Sequence, residues 1–255
     1  MHLFKIDIKK YLQIGVILLV FVLSIAFSYE RQHMRKTMAV EVLIDNSDTN
    51  YFVEQSEVSE LMNGSEKDYL TGTFLTDLDF RKLEKNVEKH PYVQKADIYR
   101  DLQGVLSVEV KQKKPLARLL KRNGEDFYIT ETGEIIPESD KYTARVLILE
   151  MENGGIIGNK NLNETEYGIR LFDLLTQVHA NEFWKAQLVG LFIDGEGEII
   201  IQPQITKQRI EFGQPNKINA KLEKLKIFYQ GILPAKGWNT YARVNVKYEK
   251  QIICE

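Results

Sequence analysis

The side chains that could do chemistry in this sequence are scattered. His2, His33, His90 and His179 form no pair at metal-ligand spacing. Cys254, the one cysteine, excludes an internal disulfide and any cysteine-built cluster. No G-x-S-x-G, H-E-x-x-H or S-x-x-K constellation supplies a nucleophile with its base. Asn153-Gly154-Gly155 has the glycines of a phosphate loop but not the Lys-Ser/Thr or G-x-G-x-x-G context that cradles a phosphate, so it reads as a turn. Asp194-Gly195-Glu196-Gly197 gathers acids as a calcium loop does, without the EF-hand spacing, and reads as a solvated turn. The expectation is no catalytic residue, no cofactor, no metal and no small-molecule substrate. Acidic residues are abundant, so a carboxylate pair assembled by the fold remains the route by which an anchored envelope enzyme could arise.

With chemistry absent, the informative residues are those that build and expose surfaces. The chain has 255 residues, 44% hydrophobic and 27% charged, which allows one large or two small domains with real cores. Net charge is -2, so no global field draws it to nucleic acid. A local basic run, Lys111, Lys113, Lys114, Arg118, Lys121 and Arg122, has two readings: contact with anionic headgroups or an acidic partner, or a solvated strand end that discourages aggregation.

Residues 11–29 carry no charge. At about 1.5 Å rise per residue they span roughly 28 Å, close to the hydrocarbon thickness of a bilayer. Tyr11, Phe27 and Tyr29 stand at the ends, where aromatic belts lie. Ala26-Phe27-Ser28 has the small-x-small form of a signal-peptide cleavage site, but the apolar run is long for a signal peptide, which favours an uncleaved anchor. Lys5, Lys9 and Lys10 on one side balance Arg31, Arg35 and Lys36 on the other, so flanking charge does not set the orientation.

After the anchor, Met38 to Ile44 reads as a strand. Val58, Leu61 and Met62 mark a short helix closed by Asn63-Gly64. Thr76 and Asp79 suggest a capping box for a second helix striped by Phe80, Leu83 and Val87. Pro91 stops that helix. A hairpin follows: Ala96 and Ile98 share one face, Asp101 to Gly104 turns, and Leu106, Val108 and Val110 alternate inward until Pro115. The order is strand, helix, helix, strand, strand, with both helices on one face of a small sheet.

Beyond it, Phe127 to Thr130 and Glu134 to Ile136 read as a hairpin, and Ala144 to Leu149 as a strand. Residues 165–179 form a helix with Leu171, Leu174, Leu175 and Val178 inward. Leu188 to Ile193 and Glu198 to Ile201 form a second hairpin, and Gln208 to Phe212 a strand. Lys217 to Leu233 is an amphipathic helix striped by Ile218, Leu222, Leu225, Tyr229 and Ile232. Tyr241 to Tyr248 alternates, with Ala242, Val244, Val246 and Tyr248 on one face. Gln251 to Cys254 can extend it or pair with it.

Two passages carry a family resemblance. Leu83 to Val93, the strand to Arg100 and LSVEVKQKKPLA resemble the POTRA domain of the FtsQ/DivIB cell-division proteins. The long helix before Asn245-Val246-Lys247-Tyr248 resembles the end of that family's β-domain, where Asp usually stands at the position of Asn245. The resemblance implies an α+β chain: a cytoplasmic tail (1–10), a transmembrane helix (11–29), a juxtamembrane linker (30–37), a POTRA-like βααββ domain (38–115), and a β-domain (116–255) with two helices and a mainly antiparallel sheet. It further implies a non-enzymatic scaffold of the division complex, in the inner membrane at the septum with its bulk outside the cytoplasm. FtsB/FtsL-like bitopic partners would add a strand at the last strands, through Tyr248, Val246, Lys247, Ile252 and Ile253. For Tyr248 the competing reading is a core tyrosine facing the 217–233 helix. An outer-membrane assembly factor also carries POTRA modules, but needs a long β-barrel for which this chain has neither the length nor the pattern.

Overall fold

The computed structural model describes residues 8–33, 36–45, 51–64, 70–74, 76–101, 103–121, 125–152 and 154–255, with side chains of the first helix described over 13–25. The expected tail residues 1–7, and residues 34–35, 46–50, 65–69, 75, 102, 122–124 and 153, lie outside the described residues. The chain divides into two compact units, Met1–Asp45 with Val53–Lys111, and Asn46–Phe52 with Gln112–Glu255.

The first unit begins with α1 (Ile8–His33). Among the described residues no helix is long and apolar enough to cross a membrane. Then come β1 (Ala39–Asp45), α2 (Gln55–Asn63), α3 (Phe80–Val87), β2 (Val93–Arg100) and β3 (Val105–Gln112). The sheet order is β1-β3-β2, with β1 parallel to β3. Sequence patterning accounts for the core: Leu106, Val108 and Val110 of β3 and Ala96 and Ile98 of β2 are buried beneath Val58, Met62, Leu83 and Val87 of the helices. The turn closes as its residues require. Asp101 Oδ1 accepts from the N–H groups of Gln103 and Val105, both at 2.8 Å. The cap of α3 differs from expectation: Asp79 itself is the N-cap, accepting from Lys82 N–H at 3.1 Å, and Thr76 instead donates to Asp77. A reciprocal capping box does form one helix earlier, between Glu54 and Glu57.

Among the described residues the second unit forms one nine-stranded sheet with helices. Its elements are β4 (Pro115–Lys121), β5 (Phe127–Thr130), β6 (Ile135–Pro137), β7 (Leu147–Met151), α4 (Glu166–His179), α5 (Glu182–Gln187), β8 (Leu188–Ile193), β9 (Ile199–Pro203), β10 (Arg209–Gly213), α6 (Ile218–Ile227), α7 (Leu233–Lys236), β11 (Arg243–Asn245) and β12 (Ile253–Cys254). The order across the sheet is β12-β11-β10-β9-β8-β7-β4-β5-β6. It is an open, mixed sheet. The β4–β7, β7–β8 and β10–β11 pairs are parallel; the others are antiparallel. Parallel β7 and β8 need a crossover, which α4 and α5 supply. Leu171, Leu174, Leu175 and Val178 of α4 and Ile218, Leu222 and Leu225 of α6 pack into the same core as Leu119, Leu149, Leu191, Ile201 and Ile210.

Four expectations change. Pro115 does not end β3, which stops at Gln112; it opens β4, an inner strand with Leu116, Ala117 and Leu119 buried. The strand expected at 144–149 runs over Leu147–Met151. A short helix, α5, joins the two expected ones, its N-cap Asn181 accepting from Phe183 and Trp184 N–H. The 217–233 helix is not continuous. A π turn over Phe228–Ile232 precedes Pro234, which has no N–H and crowds the preceding turn, so the ladder widens and Leu233 N–H reaches Phe228 C=O. That turn rotates the buried stripe, and Leu233 rather than Ile232 is fully buried.

Candidate partner-binding edge

The acidic turn is structural. Asp194 Oδ1 accepts from Glu196 and Glu198 N–H at 3.0 and 2.8 Å, and Glu152 accepts from Gly195 N–H. Tyr167 O–H donates to Gly197 C=O, and burial followed by Asp194 raises its pKa. Of the basic run, Lys113, Arg118 and Lys121 are engaged within the second unit. Lys113 pairs with Glu134 at 2.7 Å, Arg118 with Asp126 and Glu138 at 3.1 and 2.5 Å, and Lys121 Nζ lies 4.3 Å from the Phe127 ring centroid.

Among the described residues two sheets present four edges, and each edge strand offers unpaired main-chain groups to a foreign strand. Three are obstructed by different devices. On β1, Gln55 Nε2 donates to Val42 C=O at 3.0 Å. On β2, the Glu84 and Glu88 carboxylates of α3 accept from Ile98 and Ala96 N–H at 3.0 and 3.3 Å. On β6, Ile135 N–H donates to Lys160 C=O at 2.7 Å, Glu134 bridges to Asn161, and Pro137 has no N–H to offer. Among the described residues β12 is the edge that carries no such device. Arg243 and Glu255 exchange both main-chain bonds, at 3.0 and 2.9 Å, so the facing pair Val244 and Cys254 is a non-bonded pair. The N–H and C=O of Cys254 therefore point away from β11, to the outside of the sheet.

A polar network holds this edge. Arg243 clamps Glu211 of β10 through Nε and Nη2 at 2.7 and 2.9 Å and reaches Glu255 through Nη1 at 2.9 Å. Asn245 Nδ2 donates to Glu211 at 2.7 Å, and Asn245 Oδ1 accepts from Lys247 N–H at 2.9 Å. Hydrogen bonding from Arg243 holds the Glu211 carboxyl below its ordinary range and raises the Arg243 guanidinium. The return turn after β11 is pinned from α6. Lys224 Nζ donates to the carbonyls of Val246 and Tyr248, and Lys217 pairs with Glu249. Beneath it Lys221 is buried, donating to Gln214 C=O and Asn216 at 2.7 and 3.0 Å, and burial pushes its pKa down to about 8.

A family model described as FtsQ/DivIB, C-terminal related, matches residues 114–255, more than half of the chain. The chain belongs to the FtsQ/DivIB family. A POTRA-like domain matches residues 35–111. No curated protein matches the sequence. The fold is thus that of a cell-division protein of this family, α+β with a POTRA-like domain and a mixed-sheet domain.

The FtsQ/DivIB motif residues fall into distinct places. Tyr248 is 52% exposed: the strand ends at Asn245, and the turn swings the tyrosine outward instead of onto α6. Val246 is fully buried, so it offers no side chain to a partner; its N–H donates to Glu211 C=O. Lys247 pairs with Glu198 at 3.2 Å, and its stem lies over Gly213, where a Cβ would meet Lys247 Cγ and Cδ at 2.7 Å. Ile252 and Cys254 lean on the core, while Ile253, half-buried, sits on the opposite face beside Asn245. The departure of Asn245 from the family's usual Asp has a local reason. With Glu211 facing it, this position needs a donor, which an amide supplies and a carboxylate does not. Sequence reasoning misses Glu211 and Arg243; alternation gives Arg243 only an outward face, and its partner lies 32 residues away.

Proposed function

We propose that this chain is a non-enzymatic, membrane-anchored scaffold of the bacterial division complex that captures a bitopic, FtsB/FtsL-like partner by strand addition at β12. The observation carrying the proposal is the unobstructed β12 edge beside an exposed Tyr248. A partner strand would bond to the outward groups of Cys254, with Tyr248 and Ile253 as side-chain contacts. The inner-membrane anchor at 11–29 is part of this reading. Ile14, Val16, Ile17, Leu18, Leu19, Val20, Phe21, Val22, Leu23 and Ile25 are each more than half exposed, all round α1, as befits a helix whose solvent is lipid. So are the segment order (tail 1–10, linker 30–37, domains 38–115 and 116–255 outside the cytoplasm) and residence at the septum. The test is co-purification of envelope proteins with the chain carrying Tyr248→Glu, or lacking its last eight residues. Loss of a bitopic partner, with the circular dichroism of Tyr248→Glu unchanged, is expected. Retention of that partner by both variants sinks the assigned surface.

A further inference from the structure

Three short segments of the first unit, at 36–38, 70–74 and 103–105, are laced together by main-chain bonds. Thr37 N–H donates to Thr73 C=O, Gly72 N–H to Thr37 C=O and Met38 N–H to Gly104 C=O, each at 2.9 Å. Lys36 and Phe74 form a β-bridge. Gly104 has φ +94°, and a Cβ there would meet Lys36 O at 2.9 Å and Met38 Cγ at 3.3 Å, so the approach depends on glycine. Thr37 is buried at the centre. The lacing does not bury its apolar side chains. Met38 is 71% exposed and Phe74 40% exposed, with Lys36 Nζ 5.1 Å from the Phe74 ring centroid. Two apolar groups and a cation are thus held outward together on a fixed frame.

Chain reach says what covers it. His33 ends α1, and Lys36 is in the frame. An extended chain advances at most about 3.6 Å per residue, so Lys36 lies within roughly 11 Å of the helix end. The four polar residues closing α1 add about 6 Å of rise beyond the apolar run. With α1 as the proposed membrane anchor, the frame stands no farther from the hydrocarbon boundary than about a headgroup layer plus one Debye length. Asp77, whose N–H donates to Phe74 C=O, and Asp101, which accepts from Gln103 and Val105 N–H, are acids bonded to the same segments, so the frame is not purely cationic.

We propose that Lys36, Met38 and Phe74 form a membrane-seating collar: Met38 and Phe74 enter the interfacial region of the bilayer and Lys36 meets headgroup phosphate. This rests on α1 being the membrane anchor. In the full-length chain carrying Cys254→Ser, single cysteines replacing Met38, Phe74 or, as reference, the 54% exposed Leu43 receive an environment-sensitive fluorophore. The labelled chain is reconstituted in phosphatidylcholine vesicles with and without phosphatidylglycerol, containing a shallow spin-labelled lipid. Quenching several-fold stronger at 38 and 74 than at 43 is expected in both compositions, because apolar insertion leads. Equal quenching at all three positions, in protein that resists carbonate extraction, overturns the collar and leaves the anchor standing. Release by carbonate overturns the anchor and the collar together.

Discussion

Restoring the family's usual residue at position 245 should damage this particular protein. In Asn245→Asp, the Nδ2–H that meets Glu211 at 2.7 Å becomes a carboxylate oxygen. Two carboxylate charges about 4 Å apart repel by about 4 kcal/mol at an effective dielectric of 20. Arg243, bonded to the same Glu211 oxygens, offsets part of this, and a net loss of about 2 kcal/mol at neutral pH is expected. For a domain of this size that lowers Tm by about 4–8 °C. The two tryptophans, Trp184 and Trp238, both lie in the second unit, so their fluorescence reports that unit's unfolding alone. The pH dependence has a definite sign. In the parent protein the Glu211 pKa is depressed on folding from 4.5, so its stabilisation is present above that value and is lost as pH falls through the lower, folded value. The penalty in Asn245→Asp requires both carboxyl groups ionised, so the gap between variant and parent should close on acidification. Asn245→Asp with Glu211→Gln should recover most of the loss, because the amide again supplies a donor. A variant as stable as the parent at neutral pH, or a gap that widens in acid, would refute the reasoning.

Other consequences are equally measurable. Burial lowers the pKa of Lys221 from 10.5 to about 8 on folding, so stability should rise as pH climbs between those values; in Lys221→Met the tryptophan-monitored midpoint should lose that alkaline rise. Glu84→Ala with Glu88→Ala strips the caps from Ile98 and Ala96 N–H, and sedimentation velocity should then show concentration-dependent self-association through β2, whereas a strictly monomeric variant would mean the carboxylates guard nothing. Cys254→Pro removes an outward N–H while keeping a small apolar side chain against the core, so stability should change by less than about 1 kcal/mol while partner capture falls at least about tenfold. Leu225→Ala, at a fully buried position of α6, should cost about 2–5 kcal/mol by calorimetry.

What was legible in the sequence was whatever is half-buried and periodic. The β2–β3 hairpin and α4 each have one wet face, and their alternation or stripe names the buried residues directly. β4 was illegible for the opposite reason: it is an inner strand with neighbours on both sides, so it has no wet face to alternate, and Pro115 with Arg118 and Lys121 reads as a proline-led basic junction. The break in the last long helix was encoded by Pro234, but its consequence, a widened turn that re-aims Leu233, depends on how the ladder relaxes. Tyr248 shows the limit most plainly. Period two placed it with Val244 and Val246; the strand pairs with β10 only through Asn245, and beyond the last pair the pattern has no hold.

The same short pairing explains why the proposed docking edge and the polar network belong together. β12 contributes two strand residues, too few to persist on main-chain bonds alone. Its position is set by Arg243, which bonds Glu255 on one side and Glu211 on the other, so the edge is an appendage of an ion pair seated on β10. A strand arriving from a partner would bond to Cys254 and complete a ladder the chain itself leaves unfinished. Weakening the clamp should therefore weaken capture without unfolding the domain. Arg243→Lys keeps the charge but loses the fork that spans two carboxylates, and it should release the partner while the buried positions of β8 to β10 keep their hydrogen-exchange protection. If capture survives that change intact, the edge is presented by something other than the clamp.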